Sequence, residues 1–254
     1  MCENKIINLG RHKLLCGDAC ELDDLKKLIG DNKINLCLTD PPYGQHVQKP
    51  SGVIGGTGDL FYFKGIRNPL WYQKNTIFKK MRNNESTDAA KNFYKIVSEN
   101  FCKKFIIFGG NHFSGFLKPN PGWLVWNKKI PAGLNFSQCE LLYKSWGNSV
   151  RIYNFLWNGA TRQGSPKLNP TPRIVPTQKP VELIAQILED FSKPGDLVLD
   201  CFGGSGSVLI ACELTGRICY TLEIEDEYIN LISERYKNLF ENKNKNLKEK
   251  YEEA

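Results

Sequence analysis

At 254 residues the chain has room for one large α/β domain or two small ones, and a content of 41% hydrophobic and 11% aromatic residues can bury a sizeable core. No apolar stretch approaches the roughly 20 residues of a membrane span, and the opening MCENKIINLGRHK lacks the apolar block of a signal peptide, so the sequence reads as cytoplasmic with no membrane partner. A formal net charge of +7 suits a polyanion, although a mildly basic balance alone does not require one.

Strand and helix patterns alternate along the chain, which predicts a parallel sheet wrapped by helices. KLLCGDA (13–19) reads as a short strand, CELDDLKKLIG (20–30) as a helix stopped by Gly30, and INLCLTD (34–40) as a buried strand that Pro41 and Pro42 forbid to continue. KFIIFGG (104–110), GWLVWNK (122–128), CELLYKSW (139–146) and RIYNFLW (151–157) are further strand candidates. PVELIAQILEDF (180–191) is an amphipathic helix led by proline. DLVLDCFGGSGS (196–207) is a strand followed by a glycine turn, then come a helix closed by Gly216 and the strand ICYTLEIE (218–225). A last helix begins after Asp226, and its charged end, 241–254, reads as a frayed tail. Residues 45–92 and 158–176, rich in glycine, proline, aromatics and cations, read as long insert loops. The nine cysteines form no CxxC pair and lie among apolar runs, with only His12, His46 and His112 elsewhere. That pattern predicts reduced, mostly buried thiols and no metal site.

The chemistry concentrates at strand ends. Asp200 closes one strand, Gly203, Gly204 and Gly206 permit a tight turn, and Glu223 closes the next strand. Glycines let a ligand approach the backbone, and an acid at the second strand end can accept hydrogen bonds from ribose hydroxyls. G-G-S-G lacks the third glycine of the dinucleotide fingerprint, so a nucleoside cofactor without phosphates fits better, and S-adenosyl-L-methionine has those features. The blander reading is a plain strand-to-helix turn. Asp40-Pro41-Pro42-Tyr43 closes another strand where ligands bind in open α/β sheets; alone it would be an ordinary stiff turn.

In this order, LTDPPYG, PTQKPVELI, DLVLDCFGGSG and TLEIEDEY together resemble the amino-group DNA methyltransferases of the β class, in which the catalytic motif precedes the cofactor motif. The resemblance covers about residues 9 to 238. It departs mildly at Cys201, Ser207 and Thr221-Leu222, where family members often carry proline, threonine and Gly-Ile. It implies a single domain with a circularly permuted Rossmann-like methyltransferase fold, a mostly parallel seven-stranded sheet and helices on both faces.

The resemblance also implies roles. Asp40 and the carbonyl of Pro41 would hold the exocyclic amine of a base flipped out of double-stranded DNA, Pro42 would stiffen the turn, and Tyr43 would stack on the base. Glu223 would hold the cofactor's ribose, with Asp200, Phe202, Gly203, Gly204 and Gly206 beneath its methionine portion and Thr177 and Lys179 near its carboxylate. Asp18 would meet the cofactor's adenine, Asp40 would also border the cofactor, and Asn111 and Phe113 would line the pocket. Arg67, Lys79, Lys80 and Arg82 in the first insert loop, and Arg162, Lys167 and Arg173 in the second, are candidate DNA contacts. An aspartate in the first motif position favours adenine N6; N4-cytosine enzymes often carry serine there. A dinucleotide oxidoreductase and an inactive DNA-binding module are the rival classes. Pairing as a homodimer and work beside a cognate restriction endonuclease stay open.

Overall fold

The structure is a computed structural model and describes residues 4–44, 86–131, 137–158, 161–169 and 177–252. Its strands are β1 (Ile6–Leu9), β2 (His12–Cys16), β3 (Leu36–Thr39), β4 (Phe105–Phe108), β5 (Trp123–Asn127), β6 (Cys139–Lys144), β7 (Arg151–Asn154), β8 (Trp157–Asn158), β9 (Thr161–Arg162), β10 (Leu197–Asp200) and β11 (Ile218–Glu223). The helices are α1 (Leu22–Ile29), α2 (Asp88–Asn100), α3 (Val181–Phe191), α4 (Ser207–Leu214) and α5 (Asp226–Glu252). Nine strands form one sheet in the order β1-β2-β11-β10-β3-β4-β6-β5-β7, and β8 and β9 form a separate hairpin.

The sheet is mixed but mostly parallel, as expected, with nine strands instead of seven. One addition is β1, which folds back antiparallel on β2 through Gly10 at φ +58°. β7 lies at the opposite edge, parallel to β5. The central strands β3, β4 and β10 are buried at every position, which explains their continuous apolar sequences.

Alternate strand residues face opposite layers. Leu14, Leu36, Leu38, Phe108 and Val198 pack with Val181, Ile184, Ile187, Leu209 and Ile232 of α3, α4 and α5. Leu15, Cys37, Ile107 and Leu199 pack with Leu25, Leu28, Phe93 and Val97 of α1 and α2. α1 forms readily because acids occupy its first turn and lysines its last, matching the helix dipole, while Leu25, Leu28 and Ile29 are buried.

The topology positions the site. β2, β3, β4, β10 and β11 run parallel, so their carboxyl ends share one edge of the sheet. β10 comes late in the chain yet sits between β3 and β11, which brings the glycine turn beside the DPPY turn.

Three local expectations need correction. The last five residues of the 45–92 segment, 88–92, belong to α2, whose Phe93, Tyr94 and Val97 are buried. Within 158–176, Thr161–Arg162 pairs with β8, and Ser165 and Asn169 hydrogen-bond to Glu182 at the start of α3. The 241–254 tail continues α5 as helix through Glu252. Of the cysteines, Cys37, Cys102, Cys201, Cys212 and Cys219 are buried free thiols, Cys20 and Cys139 are free but more open, and Cys16 is disulfide-bonded.

Candidate active site

A cavity of about 150 Å³ opens at the shared edge of the strands. Gly17–Ala19 after β2, Asp40–Tyr43 after β3, Thr177–Lys179, Asp200–Ser205 after β10 and Glu223–Glu225 after β11 all line it. Asp18, Asp40, Pro41, Pro42, Tyr43, Thr177, Lys179, Asp200, Phe202, Gly203, Gly204 and Glu223, named from sequence, are thus gathered at one place. Gly206 shapes the turn from behind, at φ +75°.

The glycine turn is locked by backbone geometry. Gly203 N–H donates to the Leu222 carbonyl at 2.8 Å, and a Cβ on Gly203 would lie 2.7 Å from Thr221 Cγ2. That approach excludes any side chain at 203. Glu223, 7% exposed, accepts the Gly204 N–H at 2.6 Å and the Glu225 N–H at 2.9 Å. Its carboxylate therefore ties the turn to the end of β11 while bordering the cavity. Asp200 is buried and accepts the Thr39 hydroxyl at 2.7 Å and the Phe202 N–H at 3.2 Å, joining the ends of β3 and β10. Burial pushes its carboxyl up to about 7 despite those two donors. Asp18 accepts the Cys20 N–H at 2.8 Å.

Around Asp40 the structure adds what the sequence did not show. Lys179 Nζ lies 2.5 Å from Asp40 Oδ2, and the Tyr43 hydroxyl lies 2.5 Å from Asp40 Oδ1. That hydroxyl is also 2.7 Å from Glu140 Oε1, to which Lys179 approaches at 3.3 Å. Lys128 closes the cluster, 3.0 Å from Glu140 Oε2. Glu140 and Lys128 come from the antiparallel pair β5–β6 and the residue just past it, far from Asp40 in the chain. No spacing in the sequence joins them.

The charges settle unevenly. Burial would raise the Glu140 carboxyl, but Lys179 and Lys128 hold it down to about 2. Burial raises the Asp40 carboxyl, and the nearby Glu140 charge adds to this, against the pull of Lys179. Burial would lower the Lys179 ammonium, but the two carboxylates raise it. Burial first, then both carboxylates, raise the Tyr43 phenol far above its usual range. Of the two acids, Asp40 is the stronger proton acceptor.

Two expected roles do not match the arrangement seen. Tyr43 stacks on His112 with ring centres 4.9 Å apart at 18°, and its ring fills the place of a Cβ on Gly109. The ring is therefore a wall of the site. Gly109 is required there both for its φ of +66° and for this approach. Lys179, expected at a cofactor carboxylate, turns to Asp40 and Glu140 instead. Phe113 is buried edge-on to Tyr43, while Asn111 is exposed and does not line the cavity.

Among the expected DNA contacts, Arg162 lies over the Trp157 ring at 4.9 Å and Lys167 is exposed; neither lines the cavity. Arg67, Lys79, Lys80, Arg82 and Arg173 lie outside the described residues. Among those residues no group of three or more His, Cys, Asp or Glu could hold a metal, and no helix is long and apolar enough to cross a membrane.

The family described as DNA methylase matches residues 34–234. The type II methyltransferase M1.MboII of Moraxella bovis is 35% identical over 82 residues, 32% of this chain and 32% of its own. The type II methyltransferase M.XycI of Xanthomonas campestris pv. cyanopsidis is 27% identical over 147 residues, 47% of each. The chain spans under half the length of these curated relatives. Among solved structures, PvuII DNA methyltransferase, described as cytosine-N4-specific, superimposes with a TM-score of 0.56 at 15% identity, over 88% of this chain and 86% of its own. TTHA0409 of Thermus thermophilus, solved with S-adenosyl-L-methionine, gives 0.50 at 17% identity, over 89% and 93%. Identities this low speak to fold, and the permuted methyltransferase fold is the one expected from sequence.

Proposed function

The chain belongs to the N6/N4 family of DNA methylases, and from that premise we propose that it moves a methyl group from S-adenosyl-L-methionine to N6 of an adenine turned out of double-stranded DNA. The observation that carries the reading is that the DPPY turn and the glycine turn line one cavity, with Asp18 and Glu223 on the same wall.

The residues fit the cofactor. Two carboxylates at adjacent strand ends suit an adenine amine and ribose hydroxyls, and the side-chain-free backbone at Gly204, where a Cβ would meet nothing nearer than 4.0 Å, allows close approach. When bound, S-adenosyl-L-methionine supplies a methyl carbon made electrophilic by its sulfonium.

The chain's own residues act on the amine. An aromatic amine is a weak nucleophile because its lone pair is delocalised into the ring. Asp40 and the Pro41 carbonyl, accepting its two hydrogens, pull the nitrogen toward tetrahedral geometry and free that pair. Once methylated, the amine nitrogen would shed a proton, which Asp40 would accept and pass to water. Pro41 and Pro42 keep both acceptors rigid. An aspartate at position 40, the residue associated by resemblance with adenine enzymes, supports N6 over N4. The hairpin β8–β9 and the segment to Asn169, fastened to Glu182, support phosphate contact through Arg162 and Lys167.

The test is direct. The full chain is incubated with S-adenosyl-L-methionine and unmethylated phage DNA, and the DNA is digested to nucleosides and weighed. N6-methyldeoxyadenosine is expected. N4-methyldeoxycytidine would overturn the adenine reading, and unmodified nucleosides would overturn the whole.

A further inference from the structure

The Tyr43 hydroxyl has one proton and two carboxylate acceptors, Asp40 Oδ1 at 2.5 Å and Glu140 Oε1 at 2.7 Å. Asp40 Oδ2 is already committed to Lys179. Oδ1 is thus the oxygen left for a target amine, and it can take the amine hydrogen well only when the phenol proton points elsewhere. The ring itself cannot withdraw, because it is clamped between the Gly109 backbone and His112. What can move is the phenol proton, by rotation about the C–O bond.

We propose that Glu140 is a positioning residue of the transfer, accepting the hydrogen bond of the Tyr43 hydroxyl so that Asp40 Oδ1 stands open to the target amine. The inference rests on the reading of Asp40 as the amine's acceptor. Lys128 and Lys179 hold Glu140 ionised, so it offers the phenol a carboxylate acceptor throughout the working pH range. Asp40, with its raised carboxyl, is the better acceptor for the incoming hydrogen. The pair divides the work: Glu140 holds the phenol, and Asp40 meets the substrate.

The test compares single-turnover methyl transfer from tritiated S-adenosyl-L-methionine to unmethylated phage DNA in the full chain and its variants. Glu140→Gln weakens the competing acceptor and is expected to slow transfer about tenfold, the scale of one hydrogen bond to a charged group. Its affinity for S-adenosyl-L-methionine should stay within about twofold of the parent, since uniform binding is untouched. In a Tyr43→Phe background the same change should cost less than about threefold, because coupled residues are not additive. An unchanged rate, equal losses in both backgrounds, or a matching loss of cofactor affinity would each overturn the proposal. Should Glu140→Gln fail to fold, Glu140→Asp serves. Its shorter carboxylate draws back from the phenol, so a similar slowing is expected in the parent background and a smaller one beside Tyr43→Phe; an unchanged rate overturns the proposal. Failure of the underlying reading has a separate signature, a parent chain that transfers no methyl or an Asp40→Ala variant that transfers as fast as the parent.

Discussion

Lys179→Met removes the cation shared by Asp40 and Glu140 while keeping most of the side-chain volume. The two acids, 19% and 12% exposed, then face each other across the Tyr43 oxygen. Breaking a buried pair by removing one partner costs about 3–5 kcal/mol. The lower end applies, because Lys128 still neutralises Glu140 at 3.0 Å and Asp40 can escape by taking a proton. That escape sets the pH dependence. The Asp40 carboxyl is already raised by burial and rises further without Lys179, so the variant binds an extra proton when folded. A folded-state pKa raised above the unfolded one gives stability that is present at low pH and lost as pH rises through it. Unfolding by urea should therefore show a loss of about 1 kcal/mol at pH 5 growing to about 3 kcal/mol at pH 8, against a limit of about 1.4 kcal/mol per pH unit. A loss below about 1 kcal/mol at pH 8, or one that does not change with pH, would refute the electrostatic account of this cluster.

Asp200 has its carboxyl raised to about 7, so its stabilising contribution is full below the unfolded value and fades as pH rises toward 7. Asp200→Asn should remove close to one proton's worth of the stability slope between pH 4 and 7, measured by denaturant unfolding across that window. Gly109→Ala forces a Cβ into the Tyr43 ring at a φ of +66°. It should lower stability by about 2 kcal/mol and abolish methyl transfer together, in thermal melts and tritium incorporation. Glu223→Gln keeps an acceptor for one backbone N–H but not both; cofactor affinity by calorimetry should fall about tenfold or more while DNA affinity in a gel-shift assay stays near the parent value.

Much of the site was legible because its residues close parallel strands. A buried parallel strand is an unbroken apolar run, so LCLT and LVLD announced themselves, and the residue that stops each run is the one left at the cavity. Asp40, Asp200 and Glu223 were found in this way. The glycine turn was legible for a second reason, since Gly203 tolerates no side chain beside Thr221. Glu140 was not legible. It stands in β6, an antiparallel strand whose sequence shows one acid among apolar residues, and its importance comes from Lys128, Lys179 and Tyr43. The seat of Tyr43 was hidden likewise, because it depends on a left-handed glycine and a stacked His112. Contacts between distant segments leave no period to read.

The same division has a chemical consequence. The parallel half of the sheet supplies the residues that line the cavity, and the antiparallel half adds Glu140 and Lys128, which set the charge around Asp40. Asp40 alone at the end of β3 would be a buried carboxylate with two donors on it and no reason to release either. With Glu140 and Lys128 beside it, each donor has another acid within 3.3 Å, so exchanging one donor for an amine leaves no charge stranded. Under the proposed function, the pairing of Asp40 with Lys179 would be a resting arrangement that protects the carboxylate, and an incoming amine would need to displace only a single hydroxyl hydrogen bond.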